Sequence, residues 1–181
     1  NGDGQITDAD KRRLGKSGKP RGQFGINLNM SYKGFYLSAL FQGSTKFNMY
    51  VAGSLGMQTG QTYGMPVAYD YQTDFWTPDN RDAQYPRLMA NTALNQNNNY
   101  ASSDFWLING AYLRMKDFQF GYDFKYSLLK NVSWLTRCKM GISGQNIFTI
   151  SQATKYGMDP EPSDTNYYVY PVERTIALTL N

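Results

Sequence analysis

The residues best able to bind a ligand lie at the start of the chain, in the segment NGDGQITDAD. This segment places oxygen donors at Asn1, Asp3 and Asp10, and Gly4 occupies the sharp turn that a calcium loop requires. Gln5 would offer its backbone carbonyl to the ion. Calcium takes about six to eight oxygens, so the spacing indicates an incomplete site that lacks its first ligand. The alternative is a tight turn of NGDG that holds no metal.

The rest of the composition argues against most enzymatic chemistry. The chain has 181 residues, no histidine and a single cysteine, Cys138. It therefore lacks the commonest general base, the commonest zinc ligand and any base that could activate the thiol. The net charge is +4 without a basic run, which gives no indication of nucleic-acid binding. The sequence contains no apolar run of about 18 residues, so it does not predict a transmembrane helix.

Carboxylate pairs are the remaining candidates for catalysis, since glycoside hydrolysis needs two of them. Asp159 and Glu161 flank Pro160 in a polar stretch, while Asp70 and Asp74 lie among tyrosines. Nothing in the sequence marks either pair as buried or as differing in acidity. We therefore predict that the protein is not an enzyme.

Aromatic residues in the long polar stretch are better candidates for binding. Such rings can stack on sugars or contact a partner protein, because they combine an apolar face with a polar edge. The alternative is that they only pack the loop on itself. The candidate ligand or partner contacts are Tyr71, Phe75, Trp76 and Tyr100, with Tyr63 and Tyr69 nearby.

The elements that would position these residues are β-strands. Phe24, Ile26 and Leu28 alternate with Asn27 and Asn29, which predicts a strand with one apolar and one polar face. Similar alternation recurs along the chain. The predicted strands are at about 23–32, 35–43, 112–124, 137–148 and 173–181.

One predicted strand has a break in its alternation. Leu113 and Met115 are out of phase with Phe118 and the residues that follow it. A β-bulge near Lys116 and Asp117 would restore the phase, because it inserts one extra residue into one strand.

The connections between the strands differ sharply in length. Short connectors at 33–34 and 125–136 alternate with long loops at 1–22, 44–110 and 149–172. Short turns at one rim and long loops at the other are typical of an outer-membrane barrel. A soluble β-sandwich also has alternating strands and remains the alternative. Five strands cannot close a membrane barrel, so we expect an arc of a larger one.

A family resemblance then rests on several segments in order. They are NGDGQIT, YKGFYLSALFQGS, FWTPDNRDAQYPRL, SDFWLINGAYLRMKDFQFGY, ISGQNIFTIS, YGMDPE and YPVERTIALTLN. Together they resemble the C-terminal part of SusC/RagA-like TonB-dependent outer-membrane receptors of Bacteroidetes. The chain starts inside a motif and stops before the family's usual aromatic end. We therefore expect residues to be missing at both ends.

The resemblance implies the fold and the role of the chain. It implies an all-β fold, an antiparallel transmembrane β-barrel arc that forms the last five strands of a 22-stranded barrel. The long loops would be extracellular, and the plug domain would lie outside this sequence.

The implied role is the import of large nutrients, oligosaccharides or peptides, across the outer membrane of a Gram-negative bacterium. The implied partners are a SusD-like surface lipoprotein and the TonB complex. The alternative function is a soluble, β-rich, carbohydrate-binding surface module with a calcium-stabilised loop. The two hypotheses differ in whether the apolar strand faces meet lipid or one another.

Overall fold

The protein is built from β-strands and short 3₁₀ turns. The computed structural model describes residues 2–5, 7–51, 70, 73–87, 103–161 and 172–180. In these parts of the chain no helix is long or apolar enough to cross a membrane. The strands are β1 (Gly22–Tyr32), β2 (Phe35–Thr45), β3 (Asn48–Tyr50), β4 (Leu107–Asn109), β5 (Tyr112–Asp123), β6 (Lys139–Ser151) and β7 (Thr175–Leu180).

Five of these strands form one antiparallel sheet in the order β1-β2-β5-β6-β7. β1, β2, β5 and β6 pair along most of their length, and β7 pairs with Met140–Gln145 of β6, so the predicted all-β antiparallel fold is confirmed. The expected strand at 137–148 begins later, at Lys139, and runs on to Ser151. A tight turn of Lys33 and Gly34 joins β1 to β2, and both residues have positive φ angles, 47° and 92°.

One face of the sheet is apolar from edge to edge. Residues directly opposite in an antiparallel ladder share a face, and the register aligns large apolar side chains in rows across all five strands. Many of them are exposed, from 38% for Phe24 to 84% for Leu178. No described element covers this face, so the dry core that a sandwich requires is not formed there. Its members include Phe24, Ile26, Leu28, Phe118, Phe120, Ile176 and Leu178.

The opposite face is polar and close-fitting. Asn29 donates to Asn27 at 3.0 Å and accepts from the Ser38 hydroxyl at 2.8 Å, which links β1 to β2. Tyr36 lies across Gly121 and Gly141, where an added Cβ atom would meet the tyrosine hydroxyl at 2.4 and 2.7 Å. The two glycines therefore make room for the aromatic ring on this face.

The predicted bulge is confirmed. Register shifts occur on both ladders of β5, between Leu40 and Phe41 on one side and between Met115 and Asp117 on the other. The partner strand β6 is irregular at the same level, where Asn146 has a φ of 51°. Asn146 donates from its amide to the carbonyl of Glu173 at 3.0 Å. Asparagine suits this position because it tolerates the left-handed region and can bond locally.

A hydrophobic core lies in the loops beyond the sheet. Strands β3 and β4 form a small antiparallel ribbon on which loop segments pack. The sequence pattern does not predict this ribbon, and it places residues 149–172 in a long loop, within which the structure buries Ala153, Tyr156 and Met158. We name this group the loop core; it consists of Phe47, Met49, Val51, Tyr85, Trp106, Ile108, Tyr112, Ala153, Tyr156 and Met158.

Candidate functional site

The segment 73–87 is a compact loop organised by one carboxylate. Asp74 accepts the side-chain amide of Asn80 at 3.0 Å and the backbone N–H of Gln84 at 3.1 Å. Thr77 and Asn80 bridge each other through their backbones. The hydrogen bond from Asn80, followed by that from Gln84, lowers the pKa of Asp74 below its usual value. The ionised carboxylate is therefore the form that holds this loop closed.

Tyr85 attaches this loop to the loop core. Its side chain is 5% exposed, and its backbone bonds to Trp76 and Asp74 hold the two ends of the loop together. Burial raises the pKa of the Tyr85 hydroxyl, and the hydrogen bond with Tyr156 raises it further. The hydroxyl therefore stays protonated, and Tyr85 acts as a neutral anchor. Lys155 adds a second tie by donating to Gln84 at 3.1 Å.

An open depression lies beside this anchor. Its volume is about 510 Å³, and Trp76 and Phe105 line it together with Pro86 and Arg87. Trp76 is 37% exposed and Phe105 is 52% exposed, while the neighbouring Trp106 is buried and holds Phe105 edge-on at 4.8 Å. Exposed rings on a rigid base can stack on a sugar ring or receive an apolar peptide side chain. We name this depression the aromatic depression.

A buried ion cluster fixes the second long loop to the sheet. Arg114 on β5 is 3% exposed and donates to Asp159 at 2.7 Å, to Glu161 at 2.5 Å and to the Thr149 hydroxyl at 2.8 Å. Lys116, the bulged residue, adds a bond to Glu161 at 2.9 Å. The two carboxylates compensate the charge of this nearly buried guanidinium, and the hydrogen bonds hold it in one position.

This cluster explains the acidic pair that sequence analysis weighed for hydrolysis. Asp159 and Glu161 both face Arg114, and the Asp159 carboxylate also accepts the backbone N–H of Glu161 at 2.9 Å. The pair therefore holds the loop in place. Sequence reasoning missed Arg114, because an arginine within an alternating strand gives no sign of its partners 45 residues later.

The structure describes some of the predicted contact residues. Trp76 lines the aromatic depression, whereas Phe75 is half-buried and bridges Tyr85 through its backbone. Tyr71 and Tyr100 lie outside the described residues, as do Tyr63 and Tyr69. Phe105 was missed, although the run DFW, which the structure forms as a 3₁₀ turn, was visible in the sequence.

The predicted calcium loop is described except for Asn1 and Ile6. Gly4 has a φ of 78°, which fits the sharp turn of such a loop. The Asp3 carboxylate accepts the N–H of Gln5 at 2.7 Å, and the Asp10 carboxylate accepts that of Thr7 at 2.9 Å. In the described part of the chain no cluster of three or more acidic, histidine or cysteine residues could hold a metal. The turn fits the pattern, but the described donors alone do not complete a site.

Comparison of the sequence with known proteins supports the resemblance. No family model matches the chain. The chain is 28% identical over 195 residues to TonB-dependent receptor P3 of Formosa agariphila, an alignment that covers 99% of this chain. It spans only 18% of the length of that relative.

Comparison of the structure with solved structures gives the same result for the fold. The RagAB peptide transporter matches 87% of this chain with a TM-score of 0.57 and 21% identity. RagAB in its open-open state matches with a TM-score of 0.55 and 22% identity. In both cases the chain covers 16% of the solved chain. The predicted resemblance to SusC/RagA-like receptors and the predicted barrel arc are confirmed.

Proposed function

We propose that this chain forms the last strands and outer loops of a TonB-dependent importer of large nutrients in the outer membrane of a Gram-negative bacterium. The observation that carries the proposal is the two-faced sheet, whose apolar face is exposed across all five strands. Such a face suits lipid, and the polar face suits a water-filled lumen. The similarity to a TonB-dependent receptor along 99% of the chain supports the same role.

The nutrient and the partners belong to the same proposal. The structural relatives are described as a peptide transporter, which supports a peptide as one class of nutrient. An oligosaccharide is the other class, because exposed rings such as Trp76 and Phe105 stack on sugars. A SusD-like lipoprotein would close the loops from outside, and the TonB complex would act through the plug region. The protein itself is proposed to carry out no catalysis.

The aromatic depression provides the direct test. Replacing Trp76 and Phe105 with alanine in the intact receptor should weaken nutrient binding about threefold to tenfold per ring. Binding of the purified receptor to defined peptides and to defined oligosaccharides would be measured by calorimetry. The matched control is Trp134→Ala, which removes a ring that is 83% exposed at the opposite end of the sheet. Equal affinity in all variants would contradict a role for the depression.

The soluble-module alternative makes a different prediction about solubility. A membrane arc requires detergent or lipid around the apolar face, whereas a soluble module does not. Size-exclusion chromatography of the intact protein with and without detergent separates them. A stable monomer without detergent would contradict the importer.

A calcium ion held by Asn1, Asp3, Gln5 and Asp10 is a further part of the proposal. In the intact protein, Asp3→Asn and Asp10→Asn should each weaken calcium binding about tenfold, because ligand charge sets affinity in such loops. Asp8→Asn is the control, since the Asp8 carboxylate pairs with Lys11 at 2.5 Å and is outside the donor set. Terbium luminescence and thermal stability would report binding. No effect of millimolar calcium on either would contradict the ion.

A further inference from the structure

The end of the sheet that carries the short connectors is strongly cationic. The segments 31–36 and 121–141 contain a single carboxylate, Asp123. That carboxylate lies 3.7 Å from Lys139 and accepts the backbone N–H of Lys125 at 3.0 Å. The net charge of the whole chain is only +4, so this end holds a large share of the positive excess. We name it the cationic end; its cations are Lys33, Lys125, Lys130, Arg137 and Lys139.

Three of these cations are available to a ligand. Lys33, Lys130 and Arg137 are exposed, and none forms an ion pair within the described residues. Lys125 instead donates to the carbonyl of Val132 at 2.6 Å, which folds the connector onto itself. Lys139 lies over the ring of Tyr36, 5.3 Å from its centroid, and Lys33 lies over the ring of Tyr32, 5.1 Å from its centroid. The exposed cations therefore stand on an ordered base.

The connector is also attached to the neighbouring turn. The backbone N–H of Asp123 donates to Gly34 at 2.8 Å, and that of Phe124 donates to Cys138 at 2.8 Å. The Tyr122 hydroxyl bonds Ser127 at 2.6 Å. Lys33, in the turn, and Lys130 and Arg137, in the connector, consequently belong to one end of one rigid sheet.

Large apolar side chains stand exposed among these cations. Leu128 is 76% exposed and Trp134 is 83% exposed in the connector. The cross-strand row of the apolar face nearest this end consists of Tyr32, Phe35, Tyr122, Met140 and Leu180. The cationic end is thus continuous with the face proposed to meet lipid tails. An acidic protein surface would match the charges, but it would leave this apolar continuity unexplained.

We infer that the cationic end binds the headgroups of anionic phospholipids. This inference rests on the proposed function, because it places the apolar face in the bilayer. Exposed Trp and Tyr side chains favour the boundary between lipid tails and water, and exposed Lys and Arg side chains attract anionic headgroups. The phosphates would lie beside Lys33, Lys130 and Arg137, with Trp134 and Leu128 at the acyl boundary.

The test uses the intact receptor, purified in detergent and stripped of lipid. It is incubated with equal amounts of phosphatidylglycerol and phosphatidylcholine of the same acyl chains, and native mass spectrometry counts the lipids retained. Each cation near an anionic surface contributes about a fivefold preference. The variant Lys33→Gln/Lys130→Gln/Arg137→Gln should therefore lose the preference for phosphatidylglycerol at least about tenfold. The preference of the wild-type receptor should fall as salt is raised.

The matched control removes the same charge from the opposite end of the sheet. Arg12, Arg13 and Lys19 are exposed and precede β1. Their replacement by glutamine should leave the preference unchanged. Equal retention of both lipids by the wild type, an unchanged triple variant, or an equal loss in the control would each overturn the inference. A receptor that needs detergent but shows no lipid preference would overturn this inference alone, whereas one that is soluble without detergent would overturn the proposed function.

Discussion

Arg114 is the residue whose environment says most about how the loops are held. Its guanidinium is nearly buried and contacts two carboxylates of the loop and a hydroxyl of β6. Isolated ion pairs on a surface contribute little, but a buried charge that loses its partner is strongly destabilising. The position of the loop 151–161 therefore depends on Arg114. An exposed ion pair such as Asp8 with Lys11 should stabilise its own segment much less.

Replacing Arg114 with methionine should release the loop 151–161 from the sheet. The carboxylates of Asp159 and Glu161 are 22% and 29% exposed and can regain water, so we expect a local cost of about 2–3 kcal/mol, at or below the range for buried pairs. Hydrogen exchange of the loop amides would measure it. Lys116→Gln removes only the more exposed bonds to the Glu161 carboxylate and should cost less than half as much. Equal exchange in wild type and Arg114→Met would contradict this role.

The lowered pKa of Asp74 predicts that the stability of the loop 73–87 depends on pH. Its folded pKa is below the ordinary value of 3.8, mainly through the hydrogen bond from Asn80. The stabilisation is therefore fully present above that ordinary value and is lost as the pH falls through the lowered folded value. Amide exchange of Gln84 and Tyr85 should rise below about pH 4 relative to the Asp74→Asn variant. Matching pH profiles in the two proteins would show that Asp74 is not the group responsible.

At the scale of the elements, the sheet is fixed by how its polar face packs. Tyr36 of β2 lies across glycines of β5 and β6, so three strands meet under one ring. Glycine in a strand interior weakens it unless another group needs the space. Here the tyrosine ring occupies that space, and this contact helps to set the alignment of the three strands.

A pair of glycine variants tests this packing. A Cβ atom at Gly121 would meet the Tyr36 hydroxyl at 2.4 Å and the Met140 carbonyl at 2.5 Å, so Gly121→Ala must move the ring or the backbone. We expect a loss of about 1–3 kcal/mol. Gly25→Ala is the control, because its nearest neighbour is 3.8 Å away. Urea unfolding of the intact protein would compare the two variants, and equal midpoints would contradict the packing role.

The long strands could be predicted from the sequence, because apolar and polar residues alternate along each of them. The bulge near Lys116 could also be predicted, since it shifts the alternation. The ribbon of β3 and β4 could not, because strands of three residues have too little length to show a period.

The candidate site was only partly visible in the sequence. Trp76 belongs to the loop aromatics that the sequence indicates as ligand contacts. Nothing in the sequence distinguishes Phe105 from the many other aromatic residues of the chain. Which ring is buried and which is exposed depends on packing between distant loops: Trp106 enters the loop core, whereas its neighbour Phe105 remains outside.

At the scale of the whole molecule, the sheet has two faces of different chemistry. Its exposed apolar face and its polar face lie on opposite sides of the same strands, so adjacent residues meet different surroundings. Alternation of this kind makes the cost of a charge depend on the face that carries it.

Two neighbouring positions on β7 test that difference. Leu178 belongs to the apolar face, and Ala177 belongs to the polar face opposite Ser143. Leu178 lies one row from the end of the sheet, so Leu178→Lys should destabilise the intact protein in lipid by about 1–2 kcal/mol, and Ala177→Lys should cost little. The folded fraction in lipid vesicles would be measured on gels, where the folded protein migrates differently from the unfolded protein. Similar losses from both substitutions would contradict the assignment of the faces.

The ion cluster at Arg114 also has a consequence for the order of folding. The residues that compensate its charge lie 45 and 47 positions further along the chain, beyond the whole of β6. Because closing a long stretch of chain costs entropy, we expect these contacts to form after the intervening strand has paired. Until then the guanidinium stays hydrated, and it becomes buried when the segment 159–161 packs against it. Burial of Arg114 would therefore report that β6 and the segment after it have reached their final positions.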